Sequence, residues 1–277
     1  MQAPVTPVRI ETVEDQHRLA KDDLLVTEEP LEIRLGHGPT DDRSEVRLSV
    51  TMRTPGQDED LVRGFLFTEA IIADPSELVR IVSCTNVKKE ERGNVMRAEL
   101  HPSIALDPAK WQRNFYTTSS CGVCGKSSLE AVRIQRRHRI VPFGEVDPRI
   151  IGTLPERMRK AQTVFHRTGG IHAAALFDRN GELLLIREDV GRHNAVDKVI
   201  GAALAAQWVM EDRLLLVSGR AGFELLQKCV MAGIPLLAAV GAPSSISVDL
   251  ARENDLTLVG FLRKDRFNIY SPSRMTP

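Results

Sequence analysis

The sequence is poor in several things at once. Its 277 residues include four cysteines, two tryptophans and two tyrosines. No apolar run approaches the roughly 20 residues that span a bilayer. The opening MQAPVTPVRIETVED lacks the basic-then-apolar pattern of a secretion signal. A cytoplasmic chain with no membrane segment is the expectation. Charge of one sign is also missing, since 37 basic residues balance 37 acidic ones. Whole-molecule charge therefore argues for neither nucleic acid nor an anionic membrane, and anion recognition has to be local. Four cysteines at this spacing do not make a disulfide framework. Internal repeats and low-complexity tracts are absent as well.

What is present is an ordinary globular composition, 42% hydrophobic and 27% charged. A chain this long can bury a core as one large domain or two modest ones. Residues 1–25 are polar and read as an aperiodic, mobile N-terminal tail. Residues 26–116 read as an α+β domain. PLEIRLG and EVRLSVTMRT are strand candidates, and GQDEDLVRGFLFTEAII is a helix that Asp58 could cap, with Leu61, Phe65 and Ile72 at roughly helical spacing. LVRIVSC and NVMRAELH form a hairpin pair around Gly93-Asn94. Residues 117–128 are a cysteine loop, and the boundary between the two halves falls near 115–130. In residues 129–277, LPERMRKAQTVF is an amphipathic helix with Thr153 as its cap, Leu154, Met158, Ala161 and Phe165 on one face, and Gly169-Gly170 closing it. AAALFD and ELLLIRED flank the turn signal Asn180-Gly181. Apolar strands and helices then alternate to LTLVGFL. That rhythm predicts an α/β layer sandwich with helices on both faces of the sheet.

Cys121 and Cys124 lie in SCGVCGKSS. Ser127 and Glu130 match a capping box, which puts Cys124 just before a helix N-terminus and near Lys126. Both features favour thiolate, the form that attacks sulfur. Three chemistries fit a close cysteine pair: relay of a sulfane sulfur, dithiol–disulfide cycling, or half of a zinc site. Zinc needs about four ligands, and Cys84 and Cys229 sit singly in apolar segments, where buried hydrophobes are expected. No metal ligated by the protein is predicted. The setting also lacks the strand-then-helix context of redox C-x-x-C motifs.

SCGVCGK, FHRTGGIHAAALFD, REDVGRHNAVDKVIG, SGRAGFELLQK and GAPSSISVDLA occur in that order. Together they resemble the FdhD family of formate dehydrogenase accessory sulfurtransferases, from about residue 28 onward. The resemblance implies a cytoplasmic sulfur carrier. Such a carrier takes persulfide sulfur from a cysteine desulfurase. It delivers that sulfur to molybdenum bis(molybdopterin guanine dinucleotide) before the cofactor enters formate dehydrogenase. It implies that Cys121 carries the persulfide, that Cys124 assists, and that Phe261, Leu262, Arg263, Lys264, Asp265 and Arg266 contact the guanine nucleotide. A homodimer is implied too. So is a cytidine-deaminase-like second half, although no histidine here begins an H-x-E and no P-C-x-x-C occurs, so deaminase metal chemistry is missing. Thiol–disulfide oxidoreduction and non-catalytic cofactor chaperoning are the alternative functions.

Four other segments fall at predicted strand ends, where ligands of α/β sheets bind: EDVGRHN, SGRAG, GAPSS and RKDRF. Arg192, Arg220, Arg263 and Arg266 could pair with phosphate oxygens, and helix starts after Ser218-Gly219 and Ser244 would add N–H donors. Arg192, His193, Ser218 and Arg220 are candidate cofactor contacts. His172 reads as a hydrogen-bonded core histidine. Asp189 would hold Arg192 or Arg220, or cap the following turn. The basic run RIQRRHR, residues 133–139, lacks interleaved aromatics for base stacking and reads as a solvated face or a docking patch for an acidic partner.

Overall fold

A computed structural model describes residues 3–104, 140, 141, 144 and 146–271. The cysteine loop, the residue 115–130 boundary and the basic run at 133–139 lie outside the described residues.

The N-terminal segment corrects the sequence reading. Residues 1–25 are not aperiodic: β1 (Val5–Glu14) and β2 (His17–Val26) pair antiparallel along their whole length. Asp15 and Gln16 make the turn with φ of 46° and 69°. Two positive φ values match the twist of a two-residue hairpin, a role usually taken by Asn-Gly. The period-two signal is confined to Val8, Ile10 and Thr12, half-buried between exposed neighbours, and β2 is almost wholly exposed.

β3 (Glu29–His37), β4 (Ser44–Arg53), β5 (Leu78–Ser83) and β6 (Val95–Leu100) build a sheet in the order β4-β3-β6-β5. Strand alternation sends Leu31, Ile33, Leu35, Val46 and Leu48 to one face. There they meet Leu61, Val62 and Leu66 of α1 (Asp58–Thr68) in one apolar core. The other face is an ion-pair ladder, with Arg97 2.8 Å from Glu99 and 3.2 Å from Glu45. Asp58 does not cap α1. Gln57 is the cap residue at φ 53°, and the Asp58 carboxylate instead accepts two bonds from the fully buried Arg53 guanidinium, at 3.0 and 3.1 Å.

The second sheet has six strands in the order β12-β11-β10-β9-β7-β8. They are β7 (His172–Phe177), β8 (Leu183–Asp189), β9 (Leu214–Val217), β10 (Leu236–Ala239), β11 (Thr257–Gly260) and the short β12 (Asn268–Ile269). β9, β10 and β11 run parallel, while β7 and β12 pair antiparallel to their neighbours. The fully apolar β9, β10 and β11 need cover on both faces. One cover is α4 (Arg192–Ala205), α5 (Phe223–Ala232) and α6 (Ser245–Glu253), packed through Val196, Val199, Leu225 and Leu226. The other is α2 (Pro148–Ala161), through Ile151, Leu154 and Met158. The result is the expected α/β layer sandwich. Thr153 is not the cap of α2. Asp147 is, accepting from Arg149 N at 2.8 Å with Pro148 in the first turn, and the Thr153 hydroxyl donates back to Ile150 O at 2.7 Å. The helix begins six residues before LPERMRKAQTVF and breaks at Gln162, where ψ is 85°. α3 (Thr163–Thr168) follows and ends on Gly169 at φ 68°, as expected.

The two sheets are joined through α1 and α4. A Cβ on Gly64 would stand 1.9 Å from Asp197 O, and one on Gly201 1.9 Å from Asp60 O. Only glycine permits that approach. Buried charges run along the same seam. Lys198, fully buried, meets Asp189 at 2.7 Å and donates to Thr54 O at 2.8 Å. Lys228 donates to both Asp197 oxygens at 2.9 Å, to Thr68 Oγ1 at 2.9 Å and to Glu69 at 3.2 Å. Burial pulls the Lys228 ammonium down, but Asp197 and Glu69 together hold it above its ordinary value.

Candidate functional site

The carboxyl ends of β8, β9, β10 and β11 and the start of β7 share one edge of the second sheet. Backbone bonds stitch the loops there: Gly241 N donates to Gly219 O at 2.9 Å, and Phe261 N donates to Gly241 O at 3.0 Å. A Cβ on Gly241 would stand 2.9 Å from Arg220 Cα. These small residues let three strand-end loops lie side by side.

Two recesses open along this edge. One, of about 370 Å³, is lined by Phe165, Gly169, Gly170, Ile171, His172 and Val190. The other, of about 310 Å³, is lined by Pro155, Met158, Val240, Leu262 and Arg263. Arg159, Gln162 and Ser218 line both, so the recesses form one trough running from His172 to Arg263.

The predicted site residues distribute unevenly along it. Ser218 lies at its middle and accepts from Ala173 N at 2.9 Å. Arg263 closes one end, its guanidinium donating to Val240 O and Leu262 O, each at 2.8 Å. Arg263 N donates to Arg266 O at 2.8 Å, which folds Arg263, Lys264, Asp265 and Arg266 into an exposed turn. Leu262 lines the trough but is fully buried within the apolar core. Phe261 is 46% exposed at φ 51°, an uncommon backbone angle for an aromatic residue and one that marks functional loops. Arg192 is half-buried beside His172: a Cβ on Gly219 would approach the His172 ring at 3.5 Å and Arg192 Cδ at 3.9 Å. Arg220 is exposed. His193 turns toward α5 and meets Glu224 at 3.1 Å. The helix starts differ from expectation, since α5 begins only at Phe223 behind Gly222. Ser244 does cap α6, its hydroxyl accepting from Ser247 N.

Two expectations change, and at Asp189 the capping alternative is the one observed. His172 is not a core histidine: it is half-buried and faces the trough. Burial lowers its pKa below 6.5, with Arg192 and His193 adding to the effect. Asp189 pairs with Lys198 rather than with an arginine, and its other oxygen caps the following turn, accepting from Gly191 N at 2.8 Å. Cys84 is only half-buried, and burial raises its pKa while Arg34 pulls the other way. Cys229 is buried and its thiol is pushed far up. Neither described cysteine is a ready nucleophile. Cys121 and Cys124 lie outside the described residues.

Sequence reasoning missed Arg159, Gln162 and Phe165. It placed all three in one helix, LPERMRKAQTVF, without the break at Gln162 that turns them to the trough. Arg159 lies over the Phe165 ring, 3.7 Å from its centroid.

The model of the FdhD/NarQ family matches residues 26–276. The chain belongs to that family. A relative from Streptomyces avermitilis named sulfur carrier protein FdhD is 53% identical over 254 residues, covering 90% of this chain and 87% of the relative. One of the same name from Mycolicibacterium paratuberculosis is 50% identical over 257 residues, covering 91% and 92%. The fold also matches a crystal structure from Desulfotalea psychrophila, provisionally described as a formate dehydrogenase accessory protein. Its TM-score is 0.74 at 22% identity, covering 98% of this chain and 99% of that one. Among the described residues, no helix is long and apolar enough to cross a membrane.

Proposed function

We propose that this chain is a cytoplasmic sulfur carrier. It moves persulfide sulfur from a cysteine desulfurase to molybdenum bis(molybdopterin guanine dinucleotide), its substrate, before that cofactor enters formate dehydrogenase. The observation that carries this reading is the 53% identity to a named sulfur carrier across 90% of the chain.

The chemistry follows from sulfur exchange. The Cys121 thiolate attacks the terminal sulfur of the desulfurase persulfide. The donor S–S bond breaks, the desulfurase cysteine leaves as thiolate, and Cys121 becomes a persulfide. The Cys124 thiolate then attacks the inner sulfur, at Cys121. The terminal sulfur departs as sulfide to the metal, and a Cys121–Cys124 disulfide remains for a cellular dithiol to reduce. The two electrons that turn sulfane sulfur into sulfide come from the cysteine pair. This step assigns a use to the second cysteine that a one-cysteine carrier would not need.

The trough supports the acceptor side. Its Arg263 end belongs to the 261–266 segment, which we read as the guanine nucleotide contact. Arg192 lies toward the His172 end and Ser218 at the middle, and an arginine near each end suits a ligand with phosphates better than a small neutral molecule. We read the six-stranded unit as cytidine-deaminase-like and the working species as a homodimer. The test is formate dehydrogenase activity in cells lacking this protein, complemented with wild type or Cys121→Ala. Wild type restores activity and Cys121→Ala does not. Restoration by Cys121→Ala rejects the carrier and leaves a chaperone.

A further inference from the structure

The family model begins at residue 26, where β2 ends. Family membership therefore assigns no role to the β1–β2 hairpin. Each strand is ten residues long, yet a two-stranded ribbon is at best marginally stable in water until more strands or a helix complete it. β2 lies against α3. Among the described residues, β1 has no hydrogen-bonded neighbour except β2. Its outer edge offers a row of backbone donors and acceptors to another strand.

The pairing inside the hairpin fixes which groups face that edge. Across a two-residue turn the flanking residues, here Glu14 and His17, exchange hydrogen bonds. The bond from Thr27 N to Pro4 O, at 3.0 Å, keeps the same phase at the open end. Even-numbered residues of β1 thus bond to β2, while Val5, Arg9, Glu11 and Val13 turn their backbone groups outward. Pro7 belongs to the outward set, where its missing N–H costs the hairpin no bond.

Along that edge, Val8-Arg9-Ile10-Glu11-Thr12 is complementary to its own reverse. Set antiparallel to a second copy about Ile10, Arg9 faces Glu11 of the partner subunit, and Glu11 faces Arg9 of the partner subunit. Val8 then faces Thr12 of the partner subunit, a β-branched pair. Moving the register by two residues sets Arg9 against Arg9 or Glu11 against Glu11, with like charges directly opposite. Moving it by one turns the outward bonds of one strand away from those of the other. Arg18 meets Glu11 within the hairpin at 3.2 Å, and a carboxylate has acceptor sites for a second cation.

We infer that β1 is a dimerisation edge, pairing antiparallel with β1 of a second copy of this chain about a two-fold axis at Ile10. The product is a four-stranded sheet, β2-β1-β1-β2, which gives each ribbon the further strands it needs. β2 ties that sheet to α3, whose Phe165 lines the trough. The inference rests on the homodimer reading and names its surface.

Analytical ultracentrifugation of the full chain tests it, beside cross-linking. Wild type sediments as a dimer. Arg9→Glu and Glu11→Arg each place two like-charged pairs across the axis and weaken the dimer about tenfold. Mixing the two variants sets Glu against Arg at both places and restores the affinity, a rescue that damage to either hairpin would not give. Ile10→Cys faces its own copy across about 4.5 Å between Cα atoms, a span that a disulfide bridges. A mild oxidant links two such chains through position 10, seen as a disulfide-joined peptide by mass spectrometry, whereas Thr12→Cys does not link to itself. A monomeric wild type overturns the inference and the homodimer reading together. A dimer that neither charge variant weakens, or that forms no link through position 10, overturns the inference and leaves the homodimer reading. So does weakening that mixing fails to relieve, since the loss then lies within the hairpin and not across the axis.

Discussion

The molecule holds two polar regions within its apolar frame, and they are finished differently. Along the seam between α1 and α4, the buried charges Asp189, Lys198, Asp197 and Lys228 are paired with one another. Asp189 meets Lys198, Thr54 N, Gly191 N and Asn194, while Asp197 meets Lys228 and Thr68. Along the trough, Gln162 Nε2 has no partner among the described residues, and His172 sits where burial opposes its charge. A closed polar network fixes how two sheets sit together. An open one is the half of a contact that a ligand completes.

The largest way to break this contrast is at the seam. Lys228→Met strands Asp197 in a closed interior and should cost about 3–5 kcal/mol of unfolding free energy, read by urea denaturation. Adding Asp197→Leu removes the stranded charge and should recover much of that loss. A double variant as unstable as the single one would contradict this account of the pair.

Next comes the glycine contact. Gly64→Ala or Gly201→Ala forces a Cβ into the facing helix backbone and should cost about 1–3 kcal/mol, seen as a lowered thermal midpoint. Unchanged melting would mean that the helices separate freely. In the trough, Arg159→Ala should change stability by no more than about 0.5 kcal/mol. It should weaken guanosine diphosphate binding several-fold, at about 0.5–1 kcal/mol for an exposed cation–ring contact. A large melting change with unaltered binding would make Arg159 part of the frame instead.

The smallest effect is electrostatic. The folded-state pKa of His172 lies below its ordinary 6.5, so the folded protein holds its proton less tightly than the unfolded chain does. The neutral ring's share of stability is complete above pH 6.5 and shrinks as pH falls through the lowered midpoint. A proton NMR titration should give a midpoint under 6.5 without ligand, shifted upward when a diphosphate binds nearby. A free-protein midpoint at or above 6.5 would contradict the burial argument.

These outcomes also show what the sequence could carry. From AAALFD to LTLVGFL, strands and helices were legible because apolar β runs and helical stripes differ in period, with Gly169 ahead of the stretch and Asn180-Gly181 within it as punctuation. The N-terminal hairpin was not, because its strands bury little and its turn uses Asp15-Gln16. Caps failed where a left-handed Gln57 or an early Asp147 took the role expected of Asp58 or Thr153. At the site, the strand-end rule led to Ser218, Arg192 and Arg263. Gln162 carries no sequence signature, since what marks it is burial without a partner among the described residues. Glu224 was missed for a similar reason: nothing local announces that His193 will face it across 3.1 Å.

The central claim is that Cys121 carries sulfur. The direct measurement is mass spectrometry of the intact, folded protein and of its cysteine peptides, after incubation with a cysteine desulfurase and cysteine. One added sulfur on the peptide containing Cys121, lost on treatment with a thiol reductant and absent from Cys121→Ala, is the predicted result. An unmodified Cys121 in folded protein, beside a desulfurase that is itself loaded, would contradict it.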